Sequence, residues 1–225
     1  MIGIITGLLS EAKILYKSGK EPTFIKTAVG NKKITEKLAW DLVEQGAKGL
    51  LSFGLAGGLT PEIKSGDIII PDQVLTKNDM FTTDYIWHQN IVRYLSVNNL
   101  SIKQNKLLGS DIPLISVEQK KSMHDIFNVS CVDMESHHVA RVAQQAKLPF
   151  LVIRVIIDTY NDQMPSFIIK AMQQDGTITI IPLFKGIMVE PTSIYNMAKL
   201  GINFFKAIKQ LRRVARCLPI TCGLQ

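Results

Sequence analysis

Short apolar runs alternate with longer segments of helical spacing along most of the chain. Apolar runs of roughly four to eight residues bounded by glycine are typical of strands buried on both faces. The segments between them repeat apolar residues every three or four positions, as amphipathic helices do. The predicted strands are 2–6, 24–29, 49–53, 67–70, 73–75, 106–108, 130–133 and 150–157. The predicted helices are 8–16, 32–45, 84–98, 117–127 and 135–147.

This alternation predicts the fold class. Strands separated by helices of about 10–15 residues favour βαβ units, with helices on both faces of a sheet. We therefore expect an α/β fold of three αβα layers around a central mixed, largely parallel twisted sheet. No repeat or low-complexity linker divides residues 1–225, so one domain is the simplest organisation. The segment 160–192 contains three prolines and is rich in Ile, Met and Phe, so we interpret it as an apolar excursion from the core fold.

The composition is that of a globular protein, with 46% hydrophobic and 20% charged residues. It argues against disordered, collagenous and coiled-coil chains. Three cysteines are too few for a disulfide framework, and their odd number also favours a reducing compartment. No apolar run approaches the ~18 residues of a membrane-spanning helix. The N-terminal segment lacks the basic region and cleavage site of a signal peptide, so a cytoplasmic location is expected.

The positive charge is concentrated at one end of the chain. The formal net charge is +7, yet residues 176–225 carry seven basic groups and one acid, which leaves the rest nearly neutral. Apolar residues at helical spacing predict a basic amphipathic helix at about 192–216. It could be a helix docked on the core with solvated lysines. Alternatively, residues 194–216 could attract anionic lipid of the inner leaflet, which would make the protein peripheral on the cytoplasmic membrane face.

Several common sites are missing from the sequence. There is no dinucleotide-binding GxGxxG, no phosphate-binding GxxxxGK[ST] and no GxSxG nucleophile elbow. The four histidines lack metal-ligand spacing, and the neighbours His137 and His138 are expected to point to different helix faces. We therefore expect no metal and no tightly bound cofactor. The remaining candidates for chemistry are carboxylates.

Three acids follow three different predicted strands, namely Glu11, Glu135 and Asp158. The carboxyl ends of the strands form the ligand crevice of doubly wound folds, so these acids are expected to meet there. Each has another interpretation: Glu11 as a solvated first-turn acid, Glu135 as a partner of a helix dipole, and Asp158 as a turn residue. Taken together they favour a functional site, because buried carboxylates are costly without a task.

Five motifs occur in a fixed order, namely GIITGLLSEA, SFGLAGGL, KSGDIIIPD, VDMES and PFLVIRVIID. In them the chain resembles the purine nucleoside phosphorylase/nucleosidase superfamily. The segments LLGSDIPL, VDMESHHVARVA and DGTITIIPL, with the basic C-terminal helix, are similar to its hopanoid-biosynthesis branch, the hopanoid-associated phosphorylases. The proposed activity of that branch is removal of adenine from adenosylhopane.

The resemblance implies roles for particular residues. Asp158 would hydrogen-bond purine N7 and protonate the departing base. Glu135 would grip the ribose hydroxyls, with Met134 packed under the sugar. Glu11 would position or activate the attacking water. The other implied substrate-binding residues are Asp133, Ala56, Gly57 and Gly58, the glycines allowing the backbone to approach the ligand closely.

The chemistry of N-glycosidic cleavage agrees with these roles. A purine leaves poorly unless it is protonated, so one acid must have its pKa raised by burial. A second carboxylate must stay ionised to stabilise the positive sugar of the transition state. Asp158, after an all-apolar strand, suits the first task, and Glu135 near a helix start suits the second.

Departures from the family pattern favour water over phosphate as the nucleophile. We interpret Gly54–Gly58 as a glycine-rich turn after the strand 49–53. In phosphorylases a serine of this turn contacts phosphate, and in this chain Leu55 occupies that position. No arginine near Gly7 or before Gly54 offers bidentate phosphate binding. Arg154 lies inside an apolar strand, and we interpret it as structural.

The leading hypothesis is an enzyme that releases adenine from an adenosyl lipid, with hydrolysis favoured. The enzymatic alternatives are a methylthioadenosine/adenosylhomocysteine-type nucleosidase and a true phosphorylase. A different class is a catalytically silent nucleoside- or membrane-binding module. A nucleic-acid partner is not expected, since the basic stretch lacks interleaved aromatics for base stacking. The expected partners are a small nucleoside or an adenosyl lipid, and we allow for a homodimer.

Overall fold

A computed structural model describes residues 1–20, 24–28, 30–163, 193–219 and 221–224. The excursion predicted over 160–192 lies outside the described residues from position 164 onward. Within the described ranges, one sheet and helices on both of its faces form the fold.

Strands and helices alternate along the described chain. The strands are β1 Gly3–Thr6, β2 Ile25–Thr27, β3 Leu50–Gly58, β4 Ile68–Ile69, β5 Gln73–Leu75, β6 Met80–Thr82, β7 Ile102–Lys103, β8 Leu107–Gly109, β9 Cys131–Asp133 and β10 Phe150–Asp158. The helices are α1 Leu9–Lys17, α2 Lys32–Glu44, α3 Tyr85–Val97, α4 Val117–Phe127, α5 Ser136–Gln145 and α6 Ser193–Cys217.

The sheet is mixed and largely parallel. Its strand order is β6-β5-β8-β9-β3-β10-β4-β7, and β1 pairs with both β2 and β3. The pairings β10–β4, β3–β9 and β5–β6 are antiparallel, and the other pairings among the described strands are parallel. The predicted fold class is thereby confirmed.

Alternation along β10 separates the two helical layers. Leu151, Ile153 and Val155 face a core shared with α1, α3 and α6. Val152 and Ile156 face a second core shared with α2 and α5. Successive side chains of a strand point to opposite faces of the sheet. Arg154, between Ile153 and Val155, must therefore point toward the α2/α5 layer.

The glycine-rich segment Gly54–Gly58 was predicted as a turn after a strand, and this prediction is wrong. β3 continues through it, pairing with β10 as far as Gly57 and with β9 at Gly57 and Gly58. Charged side chains lie close to the strand at Gly54 and Gly57. A Cβ on Gly54 would lie 2.6 Å from both Arg154 Nη1 and Glu11 Oε2.

Helix α6 covers the position of the predicted C-terminal helix. Its buried residues Ala207, Ile208, Leu211 and Val214 belong to the core shared with α1 and α3. Phe205, which the sequence assigns to the apolar side, is instead exposed. In the described part of the chain no helix has the length and apolar character to cross a membrane.

Candidate active site

The carboxyl-terminal half of β3 is where the three predicted acids come together. Glu11 accepts a hydrogen bond from the backbone N–H of Leu55, 2.9 Å away. Asp158 is the register partner of Gly57, and a Cβ on that glycine would lie 3.1 Å from Asp158 Oδ1. Glu135 follows β9, the neighbour of β3 at Gly57. The three acids therefore lie beside the same end of β3, as expected from the sequence, and all three are buried.

Glu11 is fixed by backbone donors at the start of α1. Its Oε2 accepts from the N–H groups of Gly7 and Leu8, each at 2.8 Å, and its Oε1 accepts from Leu55. Burial raises the pKa of Glu11, while the charge of Arg154 and these N–H donors oppose the rise. Glu11 is thus a buried carboxylate in a three-donor cradle, and not a solvated first-turn acid.

Arg154 lies beneath the acids and organises them. Its Nη2 is 2.5 Å from Asp133 Oδ2 and 3.6 Å from Glu135 Oε2, and it donates to Ser52 Oγ at 2.6 Å. Ser136 Oγ donates to Asp133 and lies 3.0 Å from Ser52 Oγ, which closes a buried network. Ser52 and Gly54 are small, and they leave room for the guanidinium on this face of the sheet.

Glu135 lies beside this network at the start of α5. Its Oε1 accepts from the N–H of Gly30 at 3.0 Å, and a Cβ on Gly7 would lie 3.2 Å from the same oxygen. Burial raises the pKa of Glu135 to about 7, with Arg154 opposing the rise and the neighbouring carboxylates adding to it. Burial therefore favours the protonated form of Glu135, and the charge of Arg154 favours the ionised form.

Asp158 ends β10 and is paired with a buried lysine of α4. Lys120 Nζ donates to Asp158 Oδ2 and also, at 2.8 Å each, to the backbone carbonyls of Thr159 and Asp162. These acceptors use all three hydrogens of the ammonium group. Burial raises the pKa of Asp158, while the Lys120 charge acts to lower it.

The charges around Arg154 do not balance. One guanidinium faces Asp133, Glu135 and Glu11, so full ionisation would leave an excess of negative charge in a buried site. Such an excess is costly unless a carboxyl is protonated or a positive group enters. The site is therefore suited to a ligand that becomes cationic during reaction.

Of the remaining predicted substrate residues, some lie beside the acids and others are part of the protein interior. Gly57 adjoins Asp158, and Gly58 backs onto Ile63 and the Asp158 carbonyl. Met134 reaches over Gly30, whose Cβ position would lie 2.6 Å from its Cε. Ala56 packs in the core on the α2/α5 side, and Asp133 holds Arg154.

Two functional candidates were missed from the sequence. Arg154 was interpreted as structural, yet it contacts the acid cluster; its position as the one charge in an apolar strand was the available signal. Lys120 was not singled out, because beside Lys121 it has the appearance of an ordinary surface lysine.

The expectation that His137 and His138 point to different faces is wrong. Both imidazoles reach Asp111, and their ring centroids are 3.7 Å apart. Consecutive helical residues differ by about 100° around the axis, which the side-chain torsions can offset when one partner lies between them.

The chain belongs to the phosphorylase superfamily, whose sequence profile matches residues 3–177. A curated relative is the 5′-methylthioadenosine/S-adenosylhomocysteine nucleosidase of Listeria monocytogenes. The two sequences are 26% identical over an alignment of 199 residues. The match covers 76% of this chain and 84% of the relative. The prediction of an enzyme that cleaves N-glycosidic bonds is thereby confirmed.

Solved structures agree on the fold. The 5′-methylthioadenosine/S-adenosyl homocysteine nucleosidase of Helicobacter pylori superposes with a TM-score of 0.66 at 18% identity, over 84% of this chain and 97% of that one. The futalosine hydrolase of Helicobacter pylori gives a TM-score of 0.66 at 17% identity, with the same two coverages.

Proposed function

We propose that this enzyme hydrolyses the N-glycosidic bond of an adenine nucleoside, with Asp158, Glu135 and Glu11 as its catalytic residues. The observation that carries the proposal is the buried group of three carboxyls beside the glycine-rich end of β3. The curated relatives are named as adenine-nucleoside nucleosidases, which supports the same reaction.

Asp158 protonates the leaving purine at N7. Its proton comes from Lys120, with which it shares a buried ion pair. In the ion pair Asp158 is the carboxylate and Lys120 the ammonium. As the glycosidic bond breaks, one proton passes from Lys120 to Asp158 and from Asp158 to N7, which leaves Asp158 ionised and Lys120 neutral. The neutral amine that results keeps two hydrogens for the Thr159 and Asp162 carbonyls, and solvent later restores its third.

Glu135 and its neighbours stabilise the sugar. Loss of the base makes the ribose oxocarbenium-like, and the surplus carboxylate charge around Arg154 favours that cation. Glu135 also accepts hydrogen bonds from the ribose hydroxyls, and Met134 packs beneath the ribose ring.

Water is the nucleophile because Glu11 occupies the anion-binding donors. The N–H groups of Gly7, Leu8 and Leu55 form a cradle that would suit a phosphate oxygen, and the Glu11 carboxylate fills it. A phosphate brought there would meet a negative charge and no free donor among these three. A water molecule held by Glu11 is neutral and donates its own hydrogens, so neither the negative charge nor the occupied N–H groups exclude it.

Different observations support two kinds of substrate, which differ in the group attached to ribose C5′. Methylthioadenosine and S-adenosylhomocysteine are the substrates in the names of the curated relatives. An adenosyl lipid such as adenosylhopane is supported by the resemblance of LLGSDIPL and VDMESHHVARVA to the hopanoid-biosynthesis branch. We propose the lipid as the substrate and the thio-nucleosides as the alternative.

A lipid substrate gives the outer face of α6 a role. Ile202 and Phe205 are exposed on it, beside the exposed basic residues Lys206, Lys209 and Arg213. We propose that this face contacts anionic lipid at the inner leaflet, while the buried face holds the helix on the core. A homodimer remains a prediction from the sequence.

The experiment is incubation with adenosylhopane, methylthioadenosine and S-adenosylhomocysteine, each with and without phosphate. Adenine and the sugar product are then quantified. We expect adenine release that does not depend on phosphate, fastest with the lipid. Turnover of thio-nucleosides alone would support the alternative, and absence of adenine release from all three would refute the proposed function.

A further inference from the structure

Two adjacent histidines and one aspartate converge outside the acid cluster. His137 Nε2 lies 3.0 Å from Asp111 Oδ1, and His138 Nε2 lies 2.9 Å from the same oxygen. One ligand atom from each residue can be chosen so that all three lie within 4.8 Å of one another. His137 and His138 come from the first turn of α5, and Asp111 from the loop after β8.

Hydrogen bonding accounts for His137 Nε2, which bonds Asp111 Oδ1, but not for the other three ring nitrogens. The side chain of His138 is fully buried, and within the described residues neither of its ring nitrogens makes a hydrogen bond. In the same part of the chain His137 Nδ1 also has no hydrogen-bond partner. The 2.9 Å approach of His138 to Asp111 is therefore close without having hydrogen-bond geometry. Buried polar atoms without partners are rare in folded proteins, and a bound ion is one reason for them.

The spacing suits a tetrahedral metal ion. Zinc binds imidazole nitrogen and carboxylate oxygen at about 2.0–2.2 Å, which separates neighbouring ligand atoms by roughly 3.3–3.5 Å. Asp111 would need to retreat by a few tenths of an ångström. Its side chain is 69% exposed, so it can do so without disturbing the core. Two histidines and one carboxylate leave a fourth position for water.

The surroundings resemble the outer shell of such a site. His138 Nδ1 lies 3.7 Å from Glu36 Oε1, so a carboxylate faces the nitrogen that would not bind the metal. Glu36 is held by Arg141 at 3.2 Å, and Arg141 also donates to Asp79 at 2.9 Å. The nearby positive charge of Arg141 is thus matched by two acids.

We propose that Asp111, His137 and His138 bind one divalent transition-metal ion of the zinc type. The ion ties the loop after β8 to the start of α5, where the backbone N–H of His138 donates to the Glu135 carbonyl. Its role is to fix the backbone that carries Glu135. The proposal does not depend on which nucleoside is cleaved.

The test is metal binding by the full chain after chelator treatment and dialysis. Zn²⁺ is titrated by calorimetry, and Co²⁺ by its visible absorption. We expect one equivalent per chain, a tetrahedral Co²⁺ spectrum and a higher melting temperature with metal. Asp111→Asn and His138→Ala should each weaken binding by at least about tenfold.

The matched control is His124→Ala, since His124 lies outside the cluster and its Nδ1 contacts the Val129 carbonyl at 2.8 Å. It should bind metal as the unmodified chain does. Asp111→Asn changes an exposed side chain, so it keeps the test interpretable if His138→Ala fails to fold. Lack of stoichiometric binding, or equal affinity in the Asp111 variant and the control, would overturn the proposal.

Discussion

Lys120 and Asp158 form a buried ion pair between α4 and the end of β10, 38 residues apart in the chain. The lysine ammonium has an acceptor for each of its hydrogens, and one of them is the carboxylate assigned to protonate the base. This relationship links the proposed general acid to a residue that no sequence motif indicates.

Replacing Lys120 should impair base protonation more than binding. We expect Lys120→Met and Asp158→Asn each to lower kcat for adenine release by about 10²–10⁴-fold, as loss of a general acid does. A riboside with a 4-nitrophenolate leaving group needs no proton, so its hydrolysis should fall far less in both variants. Equal losses with both leaving groups would contradict the role of Lys120 as proton source.

Glu11→Ala should leave three N–H donors without their carboxylate. We expect hydrolysis to fall by about 10²–10⁴-fold, because water loses its base. Formate is small enough to occupy the cradle, so added formate should restore part of the activity in Glu11→Ala. The unmodified enzyme serves as the control and should not respond. A variant that formate leaves unchanged would argue against the cradle as the place of the base.

Arg154→Met should destabilise the protein in a pH-dependent manner. Removing one partner of a buried ion pair costs about 3–5 kcal/mol. Burial already raises the pKa of Glu135 to about 7 and that of Glu11 above its usual range, and loss of the cation raises both further. A carboxyl with a raised folded pKa stabilises the fold at low pH and loses that contribution as pH rises through the raised value.

The deficit of Arg154→Met should therefore be larger at pH 8 than at pH 5. Urea unfolding at both values measures it, with Arg154→Lys as the charge-retaining control. If the deficit is the same at pH 5 and pH 8, the arginine acts through packing and not through the acids.

Gly54→Ala tests the close approach of charged groups to β3. The added Cβ would lie 2.6 Å from Glu11 Oε2 and from Arg154 Nη1, so it should displace both and lower kcat by at least about tenfold. Gly201→Ala in α6 is the control, since its Cβ would have no atom of the described residues within 4 Å. We expect that variant to keep full activity and to gain about 0.5–1 kcal/mol of stability. Normal kcat in Gly54→Ala would show that the acids do not depend on this contact.

The sequence predicts the fold and the three acids because both depend on local signals. Apolar runs identify the strands, and each acid comes within five residues after one. The glycines of β3 misled the prediction, since a run of glycines near a strand end usually marks a turn. In this protein Gly54 leaves room for the Arg154 side chain of the neighbouring strand, and Gly57 leaves room for the Asp158 carboxyl.

Lys120 and the histidine pair could not be predicted for a similar reason. The burial of Lys120, and not of Lys121, follows from how α4 packs against the residues after β10. The convergence of His137 and His138 depends on Asp111 in a loop whose path no spacing rule gives. Tertiary contacts between distant segments decide each case.

Hydrolysis by a water held at Glu11 is tested most sharply by cleaving the preferred nucleoside in ¹⁸O-labelled water that contains millimolar phosphate, followed by mass spectrometry of the sugar. Hydrolysis at the Glu11 cradle predicts free adenine and a sugar with one ¹⁸O at C1′, with no sugar 1-phosphate. A sugar 1-phosphate as the main product would contradict hydrolysis and the role assigned to Glu11.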